Sequence, residues 1–209
     1  MIIAVDGPTA SGKGTIAQRL AQHYGLKRLD TGALYRAVGV AVLDAGGDAA
    51  NEAHAVSAAR ALDLNAIDEA RIRTSTAGAA ASKVAAIPAV RAVLREAQRA
   101  FAADPAGAVI DGRDIGTVIC PDADVKLYVT ASLPVRTARR LKELQARGET
   151  INYDALEGQI AERDRRDTER ADSPLRRAPD AHALDTTNLS VEEAAAAAIA
   201  IVERARMRA

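Results

Sequence analysis

The chain has 209 residues, and its 28 basic and 28 acidic residues leave no formal net charge. Only 2% of the residues are aromatic. A nucleic-acid-binding protein would carry a basic excess or stacking aromatic side chains, so the composition argues against nucleic acid as a partner. The length suits one domain with small insertions, and the single cysteine, Cys120, excludes an internal disulfide and a cysteine-based metal site.

Short apolar runs predict strands, and segments with apolar residues along one face predict helices. The predicted strands are 2–5, 27–29, 108–110, 125–129 and 182–184. The predicted helices are 15–24, 34–43, 89–102, 134–147 and 190–206, with Ser132 as the N-cap of the fourth. This alternation predicts an α/β fold with a parallel five-stranded sheet covered by helices on both faces.

Two stretches, roughly 48–88 and 148–178, fit this alternation poorly and are longer than ordinary connections. Connections of this length that leave the edge of a sheet are often functional covers. We therefore expect a single domain, 1–209, in which these two stretches are functional covers.

The first residues, MIIAVDG, lack the basic region and long apolar run of a signal peptide. No stretch approaches the length of a membrane span, and no long apolar stripe remains once the core is assigned. The sequence therefore predicts a cytoplasmic, monomeric enzyme without a membrane partner.

Residues 7–15 read GPTASGKGT and lie between the first predicted strand and helix. Glycines let successive backbone N–H groups curl around an anion, and the following helix adds its positive N-terminal end. Lys13 supplies a mobile positive charge for the outer phosphates, and Thr15 can reach a magnesium ion or its water. The predicted ATP-binding residues are Gly7, Pro8, Thr9, Ala10, Ser11, Gly12, Lys13, Gly14 and Thr15.

Gly14 separates Lys13 from the hydroxyl group of Thr15, whereas the usual phosphate loop has Ser or Thr directly after the lysine. In this Gly-Lys-Gly-Thr form the loop resembles that of the nucleoside monophosphate kinases. The loop alone does not identify the second substrate.

The stretch 109–129, VIDGRDIGTVICPDADVKLYV, begins as a buried strand and continues into a charged turn. Asp111 ends the strand, a position suited to a carboxylate that organises magnesium and its waters. Arg113 and Asp114 follow at once. In a turn, such a pair is commonly a solvated ion pair. Beside a phosphate site we interpret it differently: one of the two side chains binds an anion, and the other binds the edge of a base or a sugar.

The stretch LDTGALYRAV, 29–38, follows the second predicted strand and opens a helix. Asp30 and Thr31 suit capping positions, which is their structural interpretation. Tyr35 and Arg36 follow within two turns, close to the carboxyl edge of the sheet, where open α/β sheets bind ligands.

Five segments occur in one order and at compatible spacing: DGPTASGKGT, DTGALYR, ASKVAAIPAVR, DGRDIGTVICPDAD and ERDRRDTER. Together they resemble bacterial cytidylate kinases, the family that transfers the terminal phosphate of ATP to CMP or dCMP. The resemblance covers nearly the whole chain, and the DGRDIGTV block distinguishes it from adenylate kinases. It implies a P-loop three-layer fold, an acceptor-binding region at 31–100, a lid at 148–178, and Mg²⁺ as the metal that accompanies ATP.

The resemblance also implies roles for individual residues. The residues that match contacts to the cytosine ring and its pocket are Thr31, Ser82, Arg91 and Asp114. The residues implied to lie around the acceptor phosphate and sugar are Tyr35, Arg36, Arg113, Arg163, Asp167 and Arg170. Segment 62–83 is too short for the small antiparallel sheet of the family's long forms, so we expect a reduced, mostly helical acceptor-binding region.

The segment 162–170, ERDRRDTER, suits a solvated helix in which opposite charges pair at i,i+4. However, Arg163, Arg166 and Arg170 fall at i, i+3 and i+7, and three arginines on one helix face suit bound phosphates. We interpret the segment as part of the lid. Two arginines of the preceding helix, Arg139 and Arg140, could face the triphosphate or could be ordinary surface charges.

Phosphoryl transfer requires in-line positioning, neutralisation of spreading charge and exclusion of water. No general base is expected, because the acceptor phosphate is already an anion. The predicted catalytic residues are Lys13, Arg113, Arg163 and Arg170, and the predicted magnesium ligands, partly through water, are Thr15 and Asp111.

Two other functions remain open at this point. One is a P-loop kinase for another nucleoside monophosphate, UMP or AMP. The other is a GTP-dependent switch protein, which would carry a guanine-specifying Asn-Lys-x-Asp stretch; the sequence contains none.

Overall fold

A computed structural model describes residues 1–63 and 66–207. In these residues five strands form one sheet: β1 (Ile2–Asp6), β2 (Lys27–Asp30), β3 (Ala108–Gly112), β4 (Val125–Thr130) and β5 (His182–Asp185). The strand order is β2-β3-β1-β4-β5, and the pairings of β1 with β3, β1 with β4 and β4 with β5 are parallel. The predicted strands and the parallel sheet are confirmed.

The helices are α1 (Lys13–Tyr24), α2 (Thr31–Asp44), α3 (Glu52–Arg60), α4 (Ser75–Val84), α5 (Pro88–Ala102), α6 (Leu133–Gln145), α7 (Tyr153–Glu169) and α8 (Val191–Arg206). The predicted helices are confirmed, with shifted ends. For example, α2 begins at Thr31 rather than residue 34, because the Asp30 carboxylate accepts a hydrogen bond from the N–H of Ala33 (3.2 Å) and caps the helix.

Helices cover both faces of the sheet. Side chains of a strand alternate between faces, and accordingly Ile3 and Val5 of β1 pack with residues of α1 and α8, such as Leu20 and Val202. On the other face, Ala4 packs with Ile110, with Phe101 of α5 and with a π-helical turn at Ile115–Ile119. The thiol-bearing Cys120 is buried in this second cluster, as a small apolar residue would be.

The chain forms two compact units, one of residues 1–29 and 101–209 and the other of residues 30–100. The second unit nearly coincides with the predicted acceptor-binding region. Its helices α2 and α4 approach closely at Gly39, where an added Cβ atom would lie 2.8 Å from the Cβ of Ala80. The predicted lid contains α7, and the division into domain, acceptor region and lid stays a prediction.

Segment 62–83 contains a 3₁₀ turn at Arg71–Arg73 and most of α4, which agrees with the expected helical character. Leu64 and Asn65, which belong to this segment, lie outside the described residues. Among the residues that are described, no single helix is long and apolar enough to cross a membrane. Only α4 and α5 taken together have that length and composition, and they are bent by 102° at their junction.

Candidate active site

The phosphate loop joins β1 to α1 through glycines that no other residue could replace without strain. Gly7 has a φ of 153°, and a Cβ atom there would lie 1.9 Å from the carbonyl oxygen of Val129 in β4. Gly12 is the N-cap of α1, in the left-handed region with φ 88°, and provides no side-chain cap. The first N–H groups of α1 are therefore not covered by a capping side chain, as anion binding at a helix N-terminus requires.

Long-range hydrogen bonds hold the backbone of this loop. The buried Arg136 of α6 donates through Nη1 to the carbonyl oxygen of Thr9 (3.2 Å) and to Oδ2 of Asp164 in α7 (2.6 Å). Thr186, completely buried after β5, donates through its hydroxyl group to the carbonyl oxygen of Ser11 (2.9 Å). The loop is thus attached to elements far along the chain, which keeps its N–H groups preorganised.

Arg139 lies beside the phosphate loop, whereas Arg140 does not. Arg139 donates to the hydroxyl and carbonyl oxygens of Thr186 (2.9 and 2.7 Å), and its Nη1 is 3.7 Å from the position of a Cβ atom on Gly12. Arg140 pairs with Glu143 one turn along α6 (2.9 Å). The position of Arg139 therefore agrees with the interpretation that it faces the triphosphate. Arg140 is an ordinary surface charge of α6.

Asp111 at the end of β3 lies beside the phosphate loop. Its carboxylate is almost completely buried, and its Oδ2 is 3.7 Å from the Cβ position on Gly14, the residue between Lys13 and Thr15. One buried carboxylate beside the phosphate loop suits Mg²⁺, which keeps several waters and takes other ligands from phosphates. No group of three or more His, Cys, Asp or Glu able to hold a metal occurs in residues 1–63 and 66–207.

Asp6 connects the end of β1 to the turn that carries Arg113 and Asp114. Its carboxylate oxygens accept hydrogen bonds from the N–H groups of Ile115 and Gly116, both at 2.8 Å. Burial raises the pKa of Asp6 to about 6, although these two N–H groups lower it. The carboxylate therefore acts as an N-terminal cap for the π-helical turn and fixes the preceding residues.

Arg113, Asp114, Asp167 and Arg170 form a buried charged cluster. Arg113 donates through Nε to Asp167 (2.8 Å) and through Nη2 to the hydroxyl group of Thr9 in the phosphate loop (2.7 Å). Arg170 lies 3.6 Å from Asp114 and 3.8 Å from Asp167. Burial raises the pKa of Asp167, but the guanidinium groups of Arg113, Arg163 and Arg170 outweigh burial and hold that pKa below its usual value.

Arg170 lies at the end of the helix that carries Arg163 and Arg166. α7 ends at Glu169 and Arg170 is its C-cap: the N–H of Arg170 still donates to the carbonyl oxygen of Arg166 (3.1 Å), and the chain leaves the helix at its ψ of 141°. Its Nε donates to the carbonyl oxygen of Ser173 (2.7 Å), which turns the side chain toward the buried cluster. Arg170 thus reaches Asp114 from the C-terminal end of α7.

The unit of residues 30–100 holds the other predicted acceptor residues. Arg91 is buried in α5, with its guanidinium carbon 5.7 Å from the centre of the Tyr35 ring. Arg36 pairs with Asp30 (2.8 Å). Thr31 and Ser82 are buried, and the hydroxyl group of Ser82 makes no hydrogen bond to any residue that the structure describes. A buried hydroxyl of this kind suits a polar ligand atom.

Sequence reasoning missed Asp6, Arg28, Arg136 and Thr186. Thr186 follows the last strand, at the ligand-binding edge of a parallel sheet, and that position was a usable signal. Asp6 also ends a strand. Arg28 and Arg136 gave no signal, because their partners Asp111 and Thr9 lie 83 and 127 residues away.

Comparisons with known proteins agree over almost the entire chain. A family profile described as cytidylate kinase matches residues 3–204. The cytidylate kinase of Azorhizobium caulinodans is 59% identical over 206 residues, which cover 99% of this chain and 100% of the relative. The cytidylate kinase of Afipia carboxidovorans is 56% identical over 206 residues, with 99% of both chains covered.

Solved structures share the fold at low sequence identity. A gluconokinase from Sinorhizobium meliloti 1021 aligns with a TM-score of 0.57 at 14% identity and covers 99% of this chain and 94% of its own. An uncharacterized protein from Eubacterium ventriosum aligns with a TM-score of 0.59 at 14% identity and covers 97% of this chain and 98% of its own. These likenesses support the predicted P-loop three-layer fold.

Proposed function

Because the chain belongs to the cytidylate kinase family, we propose that it transfers the γ-phosphoryl group of ATP to CMP or dCMP, giving CDP or dCDP. The observation that carries the proposal is the hydrogen bond between Arg113 and Thr9. It joins the turn assigned to the acceptor phosphate directly to the loop assigned to ATP. A kinase must bring these two groups together, because the transferred phosphorus moves between them.

On the donor side, backbone N–H groups of the loop at 7–15, in which Pro8 alone has none, bind the phosphates of ATP, and Lys13 contacts the outer ones. The Nζ of Lys13 lies 3.1 Å from the carbonyl oxygen of Pro8, so its charge is already at the loop. Thr15 and Asp111 would hold Mg²⁺, partly through water, and the metal would supply positive charge for the phosphates. The hydrogen bonds of Arg136 and Thr186 keep the loop in its binding shape.

On the acceptor side, arginines hold the CMP phosphate and neutralise the charge that spreads over the transferred group. These are Arg36, Arg113, Arg163 and Arg170. Their carboxylate partners Asp30, Asp114 and Asp167 restrict the side chains before substrate arrives, which reduces the entropy lost on binding. Asp167 additionally accepts from the ribose hydroxyl groups.

The base is selected by buried polar groups. We assign Thr31, Ser82, Arg91 and Asp114 to the edge of cytosine, with Tyr35 beside Arg91. Buried groups of this kind reject a base that leaves them without hydrogen bonds. Selectivity of this origin predicts a clear preference for CMP and dCMP over AMP.

A substrate panel tests the proposed function. ATP consumption is measured with CMP, dCMP, UMP and AMP as acceptors, with Mg²⁺ and with Mg²⁺ removed by EDTA. We expect turnover with CMP and dCMP that is lost in EDTA. A preference for AMP would refute the cytidylate assignment, and a preference for UMP would establish the alternative pyrimidine acceptor.

The proposal includes a cytoplasmic monomer, since ATP and CMP are cytoplasmic metabolites. Among the described residues, only three large hydrophobic side chains are exposed: Leu43, Val191 and Met207. A stable dimer interface buries a larger apolar patch than three side chains provide. Light scattering at enzyme concentrations used in the assay tests the oligomeric state.

A further inference from the structure

Arg28 forms a close ion pair with the carboxylate assigned to the metal. Its Nε and Nη2 both donate to Oδ1 of Asp111, at 3.1 and 2.9 Å. The side chain of Asp111 is 4% exposed and that of Arg28 is 23% exposed. The pair therefore lies partly out of water, where electrostatic interactions are screened less than at an open surface.

The same guanidinium group lies against the phosphate loop. Its Nη2 is 3.3 Å from the position of a Cβ atom on Gly14, and Oδ2 of Asp111 is 3.7 Å from it. A side chain at residue 14 would crowd the ion pair, whereas glycine leaves room for it. Arg28 thus adds a second positive charge beside the phosphate loop, in addition to the charge of Lys13.

The charge of Arg28 changes what Asp111 can do by itself. An ionised, buried carboxylate without a counter-charge attracts divalent cations, because desolvation strengthens the attraction. With Arg28 against Oδ1 the formal charge of the pair is zero. The described part of the chain has no group of three or more His, Cys, Asp or Glu that could hold a metal. We therefore expect a phosphate of ATP to supply the missing negative charge.

We propose that Arg28 is a positioning residue that balances the charge of Asp111, so that the phosphate loop takes up a divalent metal only together with a nucleoside triphosphate. The inference rests on the proposed function for the identity of the nucleotide. It does not depend on the acceptor. Its consequence is that nucleotide-free enzyme does not hold Mg²⁺ at this site.

The test measures Mn²⁺ binding to nucleotide-free protein by the loss of the electron paramagnetic resonance signal of free Mn²⁺. Wild-type protein should bind Mn²⁺ weakly, and Arg28→Met should bind it roughly tenfold more tightly or better, because one positive charge beside the carboxylate is removed. Arg28→Lys keeps the charge and should remain like wild type. Because ATP itself binds Mn²⁺, the arm with ATP uses equilibrium dialysis, in which Mn²⁺ and ATP both cross the membrane, and all three proteins should retain Mn²⁺ together with ATP.

Two controls decide the assignment. Arg19→Met removes an equal charge from an exposed pair with Glu192 on the same unit, and it should leave Mn²⁺ binding unchanged. In the double variant Arg28→Met/Asp111→Asn the gained binding should disappear. Circular dichroism verifies the fold of each variant, and Arg28→Gln replaces Arg28→Met if the latter does not fold.

Equal Mn²⁺ affinity of wild type and a folded, uncharged Arg28 variant would overturn the proposal, as would a gain that survives loss of the Asp111 carboxylate. Neither measurement involves CMP or turnover. If the Mn²⁺ experiment contradicts the role of Arg28, the substrate panel still tests the proposed function. If the substrate panel contradicts the proposed function, the Mn²⁺ result for Arg28 remains valid.

Discussion

At the scale of single residues, the site depends on charged groups that are buried and paired. Asp6 is the clearest case, because its carboxylate is held by two backbone N–H groups directly before the phosphate loop. Its pKa of about 6, against an ordinary value of 3.8, shows that burial outweighs the hydrogen bonds. The difference corresponds to about 3 kcal/mol that ionised Asp6 costs the folded state at neutral pH. The protein retains this carboxylate at a cost to stability, as functional sites often do.

Asp6 should make stability depend on pH in an unusual direction. Because its pKa is higher in the folded state than in the unfolded state, the folded protein binds more protons between pH 3.8 and 6. Wild type should therefore gain stability relative to Asp6→Asn as the pH falls from 7 to 4. Urea unfolding of both proteins across this range measures the difference, which should reach about 3 kcal/mol.

Asp180→Asn is the matched control for this experiment. The hydrogen bond from Lys126 lowers the pKa of Asp180, so its stabilising effect should be constant above pH 4 and decline only below it. A difference between wild type and Asp6→Asn that does not change with pH would contradict the interpretation of Asp6.

At the scale of elements, the ends of helices explain both the accuracy and the errors of the sequence interpretation. α8 begins with a capping box in which Ser190 accepts from the N–H of Glu193 (3.2 Å) and Glu193 accepts from the N–H of Ser190 (2.8 Å). Ser132 occupies the N-cap position of α6, as predicted, but its side chain makes no capping hydrogen bond. Its N–H donates instead to the hydroxyl group of Thr187 (3.0 Å).

These two serines should respond differently to alanine. Ser190→Ala should lower the free energy of unfolding by about 1 kcal/mol, because an N–H at the start of α8 loses its partner. Ser132→Ala should change it by no more than about 0.5 kcal/mol, the usual range for a surface substitution without such a feature. Thermal or urea unfolding measures both, and equal losses would show that the difference in capping has no energetic effect.

At the scale of the whole molecule, a chain without net charge concentrates arginines where phosphates are expected. The neutral total is consistent with the expectation that phosphate affinity comes from local clusters. In the unit of residues 1–29 and 101–209, Arg113 and Arg170 face Asp167 and Arg136 faces Asp164. The carboxylates keep like charges together in the absence of substrate, which bare arginines would resist.

The predicted lid arginines should make a large contribution to kcat. Arg163→Ala or Arg170→Ala should lower kcat with CMP by about 10³-fold, the lower end of the effect of a transition-state arginine. Arg165→Ala is the control, because Arg165 is exposed and bonds to Glu162 and Glu169 on the same helix. Near-normal turnover of both Arg163→Ala and Arg170→Ala would exclude the lid assignment.

The sequence by itself determined the features that depend on neighbouring residues. A strand, a glycine-rich turn and a helix in succession identify the phosphate loop, because its N–H groups come from neighbouring residues within 7–15. The alternation of strands and helices likewise predicted the parallel sheet, since parallel strands require crossover connections. Helix boundaries were less accurate, because a cap such as Asp30 can begin a helix before its apolar pattern starts.

Only the tertiary structure decided which distant residues meet at the edge of the sheet. Arg28 meets Asp111, Arg136 meets Thr9, and Thr186 meets Ser11 across 83, 127 and 175 residues. Parallel strands bring their carboxyl ends to one edge irrespective of their separation in the chain. Side-chain length and burial then select the partners, and no local pattern encodes that choice.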